Sequence, residues 1–202
     1  MVQPAARKGD ERMLRSERLH LREFQDGDFE AVHAYGSDPE VVRYMVWGPN
    51  SEDDTREFLK RARGLADADP RVGYDLAVTL GDTGELVGGI GIYIDGSNAM
   101  LGYCFARPAW GKGYATEAGE LVIEFGFETM GVHRIWAGCD PDNRGSIRVL
   151  EKLGMTREGH LREESRIRGE WRDTLLFAIL ADEWRAQQDA EAPSGIPDRT
   201  EE

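Results

Sequence analysis

F-A-R-P-A-W-G-K-G-Y-A-T-E, residues 105–117, follows an apolar run and precedes an amphipathic run that begins at Ala115 or Thr116. Gly111 and Gly113 bracket a lysine in this stretch, and glycine lets backbone N–H groups approach a ligand because no Cβ stands in the way. The helix predicted after the glycines adds the unpaired N–H groups and the partial positive charge of its N-terminus. A strand, a glycine turn and a helix N-terminus in this order predict an anion site, most often for phosphate.

Two common phosphate-binding patterns fit this stretch poorly. A P-loop needs G-x-x-x-x-G-K-[ST], but Gly111-Lys112 is followed by Gly113 and no glycine lies five residues before Gly111. A dinucleotide fingerprint needs a third glycine where Thr116 stands, and it should open a first βαβ unit rather than lie in mid-chain. A glycine turn that only joins a strand to a helix is the plainest alternative.

Size and composition predict one soluble domain without a metal centre. The chain has 202 residues, of which 40% are hydrophobic, and no apolar run approaches the ~20 residues of a membrane span. The first residues contain no apolar signal segment, which argues against secretion. Two cysteines, Cys104 and Cys139, lie in apolar runs and are expected to be buried hydrophobes in a reducing cytoplasm. The four histidines are scattered without metal-ligand spacing, so we expect no metal.

The formal charge of −13 argues against nonspecific nucleic-acid binding, which needs cations to neutralise phosphates. An acidic surface attracts cationic molecules, including amines. The same charge also serves solubility, and it does not locate a site.

Periodicity and turn residues predict the elements in chain order. Predicted strands are Arg18 to Phe24, Tyr74 to Leu80, Glu85 to Ile94, Ala99 to Phe105, His133 to Cys139, and a closing hairpin of Met155 to Ser165 and Trp171 to Ala181. Predicted helices run from Asp26 or Asp28 to Tyr35, from Ser37 through Val41, Val42 and Tyr44, from Ser51 to Ala66, from Thr116 to Thr129, and from Ser146 to Lys152. We expect a flexible arm over residues 1–15, one α/β domain over 16–184, and a disordered acidic tail over 185–202.

A second segment agrees with the glycine loop. Asn143 to Gly154 reads N-R-G-S-I-R-V-L-E-K-L-G and follows the end of a predicted strand. Asn143 either caps the next helix or offers its amide to a ligand, and Ser146 is expected in the first turn on the same side. Both residues could equally serve only the helix N–H groups.

Together the two segments resemble the GCN5-related N-acetyltransferases (GNAT). The stretch Trp110 to Ala115 fits the family's [QR]-x-x-G-x-[GA] loop except at its first position, where Trp110 replaces Gln or Arg. The second segment resembles the family's N-x-x-S-x-x-x-x-x-x-x-G pattern, and W-G-K-G-Y-A-T-E-A is similar to the branch of ribosomal-protein N-terminal acetyltransferases. The resemblance covers about Arg15 to Trp184, nearly the whole predicted domain.

The resemblance implies a single-domain α/β fold with a mixed, mostly antiparallel twisted sheet flanked by helices. In this fold a splayed strand pair holds acyl-CoA. It also implies an N-acetyltransferase, in the form of a homodimer, that moves an acetyl group from acetyl-CoA to a primary amine. Residues implied in acetyl-CoA binding are Cys104, Phe105, Arg107, Trp110, Gly111, Lys112, Gly113, Tyr114, Ala115, Thr116, Asn143 and Ser146.

Acetyl transfer needs a neutral amine, a held oxyanion and a leaving thiolate. We expect the Ser146 hydroxyl to donate to the thiolate, with Tyr103 as a weaker candidate. The family position of the base is Ser165 here, so a register shift would be needed to bring Glu164, or its neighbour Glu163, into that role. Asp140 and ordered water are the other options.

Tyr44, Trp47 and Trp171 are expected to line the acceptor pocket, although each is also a plausible core aromatic. The acceptor could be a protein N-terminus, an amino sugar, a polyamine or an amino acid. A non-catalytic acyl-CoA-binding module on the same fold is the alternative function.

Overall fold

The computed structural model describes residues 14–191, which contain one eight-stranded sheet in the order β1-β2-β3-β4-β5-β6-β8-β7. The strands are β1 Leu14–Arg15, β2 Leu19–Glu23, β3 Gly73–Leu80, β4 Leu86–Asp95, β5 Asn98–Phe105, β6 Arg134–Cys139, β7 Thr156–Ile167 and β8 Glu170–Leu180. The helices are α1 Phe29–Gly36, α2 Glu52–Ala66, α3 Tyr114–Glu124, α4 Arg144–Lys152 and α5 Ala181–Glu191. All paired neighbours are antiparallel except β5 and β6, so the predicted mixed, mostly antiparallel α/β fold is confirmed.

The sheet buries a different hydrophobic cluster on each face because side chains alternate along every strand. Leu76 of β3 and Leu101 of β5 belong to the larger cluster, which includes residues of α3 and α4. Ala77, which follows Leu76 on β3, and Cys104, which is on β5 with Leu101, belong to the smaller cluster. That cluster includes residues of α1 and α2. We call these the α3 face and the α2 face of the sheet.

The parallel pairing of β5 with β6 is short. It covers Asn98↔Arg134, Ala99↔Ile135 and Met100↔Trp136 and then stops. Beyond it β5 stays paired with β4 up to Phe105, and β6 stays paired with β8 up to Cys139. The two strands therefore diverge, as the predicted splay requires.

Glycines in β4 permit a close approach of the neighbouring backbone. A Cβ on Gly88 would lie 2.6 Å from the carbonyl oxygen of Cys104, which no side chain can tolerate. The β3–β4 ladder also shifts register between Val78 and Thr79, because Val78 pairs with Gly88 and Thr79 pairs with Leu86. Strand β4 therefore combines a close backbone approach at Gly88 with a β-bulge beside it.

The predicted helix that starts at Ser37 is wrong. Residues 37–50 form turns, and the Ser37 hydroxyl donates to the carbonyl of His33 at 2.7 Å, where it closes the end of α1. Val41 and Val42 are nonetheless buried in the cluster of the α2 face. The Ser37–Glu40 spacing matched a capping box, but the hydroxyl is used by the preceding helix instead.

Two helix ends also differ from the sequence-based expectation. Helix α3 begins at Tyr114 and ends in a π-turn over Phe125–Thr129. Helix α5 continues to Glu191, seven residues past the predicted domain boundary at 184. Trp184 packs on Phe127 at a ring separation of 5.4 Å, and Gln187 donates to the Gly154 carbonyl at 3.3 Å, so both contacts hold a helix whose composition is polar. The remaining parts of the predicted arm and tail, residues 1–13 and 192–202, lie outside the described range.

The contrast between the two serines gives a stability test. Ser51 caps α2 with a complete capping box, in which its hydroxyl accepts from the Asp54 amide at 3.2 Å. We expect Ser51→Ala to lower the free energy of unfolding by about 1 kcal/mol, and Ser37→Ala to lower it by less than half of that, because back-bonding at a helix end stabilises little. Urea unfolding measures both. A loss at Ser37 equal to that at Ser51 would contradict the assignment of residues 37–50 as turns.

Candidate active site

The glycine loop ends at the open N-terminus of α3. Gly111 and Gly113 have φ of +73° and +82°, which favour glycine, and Gly113 is itself the N-cap residue of α3. Gly113 has no side chain that could cap the helix, so the N–H groups of the first turn are left for a ligand. The loop thus has the backbone geometry of an anion site.

Trp110, which departs from the family pattern, still acts as a hydrogen-bond donor. Its indole N–H donates to the carbonyl of Phe105 at 2.8 Å, while the residue as a whole is half-exposed. This bond ties the loop back to the end of β5. The indole fixes the loop in the position where the family carries a Gln or Arg side chain.

Arg18 holds the other side of the loop, and the sequence analysis missed this residue. Its guanidinium donates to the Lys112 carbonyl at 3.1 Å and to Glu117 Oε2 at 2.7 Å, and it stacks over the Tyr114 ring at 5.1 Å. Ser16 Oγ donates to the other oxygen of Glu117 at 2.5 Å. The Glu117 bonds raise the pKa of Arg18; for Glu117, desolvation is outweighed by the bonds from Ser16 and Arg18, which lower its pKa.

This contact has an electrostatic consequence at the anion site. Glu117 lies in the first turn of α3, where its negative charge would repel a diphosphate. Arg18 neutralises that charge, and one of its terminal nitrogens lies only 3.4 Å from where a Cβ on Gly113 would stand. Arg18 and Glu117 are about a hundred residues apart in sequence, so no local motif predicts that they pair.

Two hydroxyl groups meet at the splay. Tyr103 Oη on β5 lies 2.8 Å from Ser146 Oγ on α4, the helix that follows β6. Asn143 caps α4 by accepting from the Ser146 amide at 3.0 Å, which fixes the serine in the first turn. Burial raises the pKa of Tyr103, so its phenol is neutral at physiological pH. The structure therefore brings together three predicted site residues, Tyr103, Asn143 and Ser146, from both sides of the gap.

On the α2 face, the floor of the splay is made of glycine. Gly102 of β5 and Gly138 of β6 each lie two residues beyond the last paired residues, Met100 and Trp136. A Cβ on Gly102 would meet nothing within 4 Å, whereas one on Gly138 would lie 2.9 Å from Thr174 Cγ2. No side chain of β5 or β6 therefore covers the floor at these two positions, opposite the Tyr103–Ser146 pair, and Thr174 borders it at Gly138.

Glu164 lies near this floor. The β7–β8 ladder shifts register between Leu161 and Ser165, and in this bulge Thr174 Oγ1 donates to Glu164 Oε2 at 3.0 Å. Thr174 is also the side chain nearest to Gly138, so the carboxylate reaches the α2 face through it. Glu163 has φ of +52°, and its amide donates to Asp173 at 2.9 Å.

Asp140 is poorly placed to act as a base. It is buried, and Arg172 Nε donates to its Oδ2 at 2.8 Å, while its Oδ1 accepts from the Asp142 amide. Both carboxylate oxygens are thus occupied, and the charge is paired. The two cysteines, Cys104 and Cys139, are buried, and desolvation raises the pKa of the Cys104 thiol to about 12, as expected of hydrophobes rather than nucleophiles.

The predicted acceptor aromatics are spread over two elements. Trp47 is 39% exposed in the loop after α1, where Arg43 stacks over the Tyr44 ring at 5.4 Å. Trp171 is 58% exposed on β8, and by alternation it faces away from Arg172 and Thr174.

Arg168, at the β7–β8 turn, joins the hairpin to the loop after α1. It donates to the carbonyls of Val42, Arg43 and Gly48 at 3.2, 2.5 and 3.1 Å. The hairpin and the loop therefore meet on the α2 face, at the side expected for the acceptor.

Comparison with known proteins agrees with this geometry. Residues 18–156 match the acetyltransferase (GNAT) domain family. The chain is 36% identical over 174 residues to the uncharacterized N-acetyltransferase YnaD of Bacillus subtilis, covering 85% of this chain and 98% of that protein. A GNAT acetyltransferase structure from Bacillus anthracis superposes with a TM-score of 0.76 at 37% identity, covering 84% of this chain and 98% of the other. Over 84 residues, 42% of this chain and 43% of the other, it is 36% identical to the [ribosomal protein uS5]-alanine N-acetyltransferase of Escherichia coli.

The chain belongs to the GNAT acetyltransferase family. It is an acetyl-CoA-dependent N-acetyltransferase, and the glycine loop and splay are the features that fit this donor. In residues 14–191, no helix is long and apolar enough to cross a membrane. The same residues contain no group of three or more His, Cys, Asp or Glu side chains arranged to hold a metal ion.

The Arg18 contacts predict a donor-specific defect. Arg18→Gln should raise the Kd for acetyl-CoA about fivefold to tenfold, because a charge-assisted contact beside the diphosphate is lost in a partly exposed setting. With S-acetylpantetheine, which lacks the diphosphate, the variant should have the same initial rate as the wild type. Calorimetry and initial rates with both donors measure this.

A matched control is Arg56→Gln, which removes an exposed arginine paired with Glu52 and Asp53 on α2. It should leave both donors unaffected. An equal loss with acetyl-CoA and S-acetylpantetheine after Arg18→Gln would mean that Arg18 supports the fold and not the diphosphate.

Proposed function

We propose that this enzyme transfers acetyl from acetyl-CoA to a primary amine by direct attack in a ternary complex. The observation that carries this proposal is the splay itself, which has a hydroxyl pair on its α3 face and a bare glycine floor on its α2 face. The donor lies between β5 and β6, and the amine approaches from the α2 face. Holding both reactants in one place lowers the barrier of a bimolecular step.

Backbone groups at the splay bind the donor. The gap edges of β5 and β6 carry peptide N–H and C=O groups that can pair with an extended pantetheine arm like an added strand. The N–H groups from Gly111 to Thr116 hold the diphosphate, with Trp110 and Arg107 at the rim. A backbone N–H near Cys104 or Phe105 polarises the thioester carbonyl.

Ser146 assists the leaving thiolate. A CoA thiolate, with a thiol pKa near the ~8.5 of cysteine, leaves more readily when a hydroxyl donates to it. The Ser146 hydroxyl is held at the splay by Tyr103, and the Asn143 cap fixes its backbone. Tyr103 can pass a proton to Ser146 as the serine donates to sulfur.

Glu164 takes a proton from the acceptor nitrogen on the other face. Its carboxylate is held by Thr174 beside Gly138, at the floor of the splay. In this chain the position of the family's acid is occupied by Ser165. The register shift in β7 supports a role for Glu164, because it turns this acid toward the α2 face.

The acceptor is an amine of a protein N-terminus or of a small molecule. The relative from Escherichia coli named above acts on a ribosomal protein alanine, and the net charge of −13 here favours cationic acceptors in general. Tyr44 and Trp47 form the proposed rim of the acceptor site, near the Arg168 contact, whereas Trp171 faces away from the α2 face and is not part of this rim. The cytoplasmic location and the homodimer stay predictions, and light scattering tests the second.

The competing function is a non-catalytic acyl-CoA-binding module. An amine panel separates the two: the purified chain is mixed with acetyl-CoA and α-amines, lysine side-chain amines, amino sugars or polyamines. Release of free thiol measures turnover, and mass spectrometry identifies the product. We expect acetylation of at least one class; tight acetyl-CoA binding without turnover on any acceptor would favour the module.

Ser146→Ala tests the leaving-group role. It should lower kcat about tenfold to a hundredfold, as expected when one proton donor is lost, with little change in acetyl-CoA affinity. Tyr103→Phe should cost less, because Ser146 Oγ remains in place. Stopped-flow rates and calorimetry measure the two quantities; an unchanged kcat in Ser146→Ala would remove this assignment.

A further inference from the structure

A buried acid–phenol pair lies on the α2 face near the splay. Asp75 of β3 is 5% exposed, and the Tyr93 hydroxyl on β4 donates to its Oδ1. Its second oxygen, Oδ2, is buried without a hydrogen-bond partner among residues 14–191. Leaving a buried carboxylate oxygen unpaired lowers stability, so the pair is a candidate for a functional role.

A row of glycines links this pair to the splay. Asp75 pairs with Gly91 on β4, and Gly91 pairs with Gly102 on β5. A Cβ on Gly91 would lie 3.0 Å from Asp75 Oδ1 and 2.7 Å from Tyr93 Oη, so only glycine lets the pair lie over β4. Beside it, the space above Gly102 is open. The Tyr93 hydroxyl lies over β4, and β5 is the next strand and forms the edge of the gap. Since adjacent strands are ~4.8 Å apart, the hydroxyl lies about one strand spacing from that edge.

The surroundings of Asp75 leave it without a paired cation. Desolvation raises the pKa of its carboxyl, and the Tyr93 bond only partly opposes this; Arg61 and Arg71 act on it electrostatically without a hydrogen bond. Arg61 is on α2 and stacks on Phe58, while Arg71 pairs with Glu23. Two further titratable groups in this region, Tyr35 of α1 and Cys104 of β5, are neutral at pH 7 because burial raises the pKa of each.

We propose that Tyr93, backed by Asp75, accepts the first proton of an acceptor that arrives as an ammonium ion. This rests on the proposed amine acetyltransferase function. An N–H bond of the ammonium breaks as its proton passes to Tyr93 Oη, and the phenol proton passes to Asp75. The nitrogen keeps its electron pair and attacks the thioester carbon to form the C–N bond, after which Glu164 takes the second proton. The C–S bond then breaks, and CoA leaves as a thiolate that accepts a proton from Ser146.

The pKa of the acceptor amine decides whether this additional proton acceptor is needed. An α-amine, with a pKa of ~7.7–8.0, is partly neutral at pH 7, but an aliphatic amine of ~10.4 is almost fully protonated. A second proton acceptor on the α2 face serves the second kind. We therefore infer that the preferred acceptors are aliphatic primary amines of lysine or polyamine type.

The test compares two variants with two acceptors at pH 7. In Asp75→Asn and Tyr93→Phe, kcat/KM should fall about a hundredfold for a lysine-type amine and less than about threefold for an α-amine, in the range usual for a lost general base. The deficit for the lysine-type amine should shrink as the pH is raised toward its own pKa. Glu164→Gln should slow both acceptors alike.

Calorimetry with acetyl-CoA shows whether each variant is folded, because neither residue is placed in the donor site. Equal losses for both amines in both folded variants would overturn the inference and leave the enzyme function standing. Wild-type protein that acetylates no amine would instead sink the proposed function, and this inference with it. If Asp75→Asn does not fold, Tyr93→Phe, which keeps the acid, decides alone.

Discussion

The site depends on a parallel pairing that stops after three residue pairs. Strands β5 and β6 are each held along their full length by an antiparallel partner on the other side, β4 and β8, so the gap between them cannot close without breaking those ladders. Peptide groups on the gap edges consequently face an opening in the middle of a sheet. Loops and helices supply the rest of the site, but the opening is a property of the strands.

The two faces of the sheet divide the chemistry. On the α3 face lie the anion loop and the Tyr103–Ser146 hydroxyls, which suit a donor with a diphosphate at one end and a thiolate at the other. On the α2 face lie the glycine floor and two acids, Asp75 and Glu164, which suit a protonated nitrogen. In the mechanism that we propose, proton donors and proton acceptors thus lie on opposite sides of one layer of backbone.

Much of the fold could be read from the sequence because its signals are local. The start of α2 at Ser51 and the strand–glycine turn–helix order around Gly111 each depend on neighbours within a few residues, and each is present as expected. The helix predicted from Ser37 does not form, because the Ser37 hydroxyl donates to the end of the preceding helix α1 instead of capping a new one. Helix α5 was missed because its composition is polar, and the contacts that hold it, such as Trp184 on Phe127 and Gln187 on the Gly154 carbonyl, join it to distant parts of the chain.

The parts of the site that escaped the sequence analysis depend on long-range register. Arg18 and Glu117 meet only because β2 runs beside α3, and Asp75 meets the splay only through the pairs Asp75↔Gly91 and Gly91↔Gly102. Read locally, Gly91 and Gly102 weaken their strands and Asp75 interrupts an apolar one. Across the sheet, however, Asp75, Gly91 and Gly102 lie side by side in a single row. An acid next to glycines in a central strand therefore gains its meaning from the neighbouring strands, and register is the information that a lone sequence lacks.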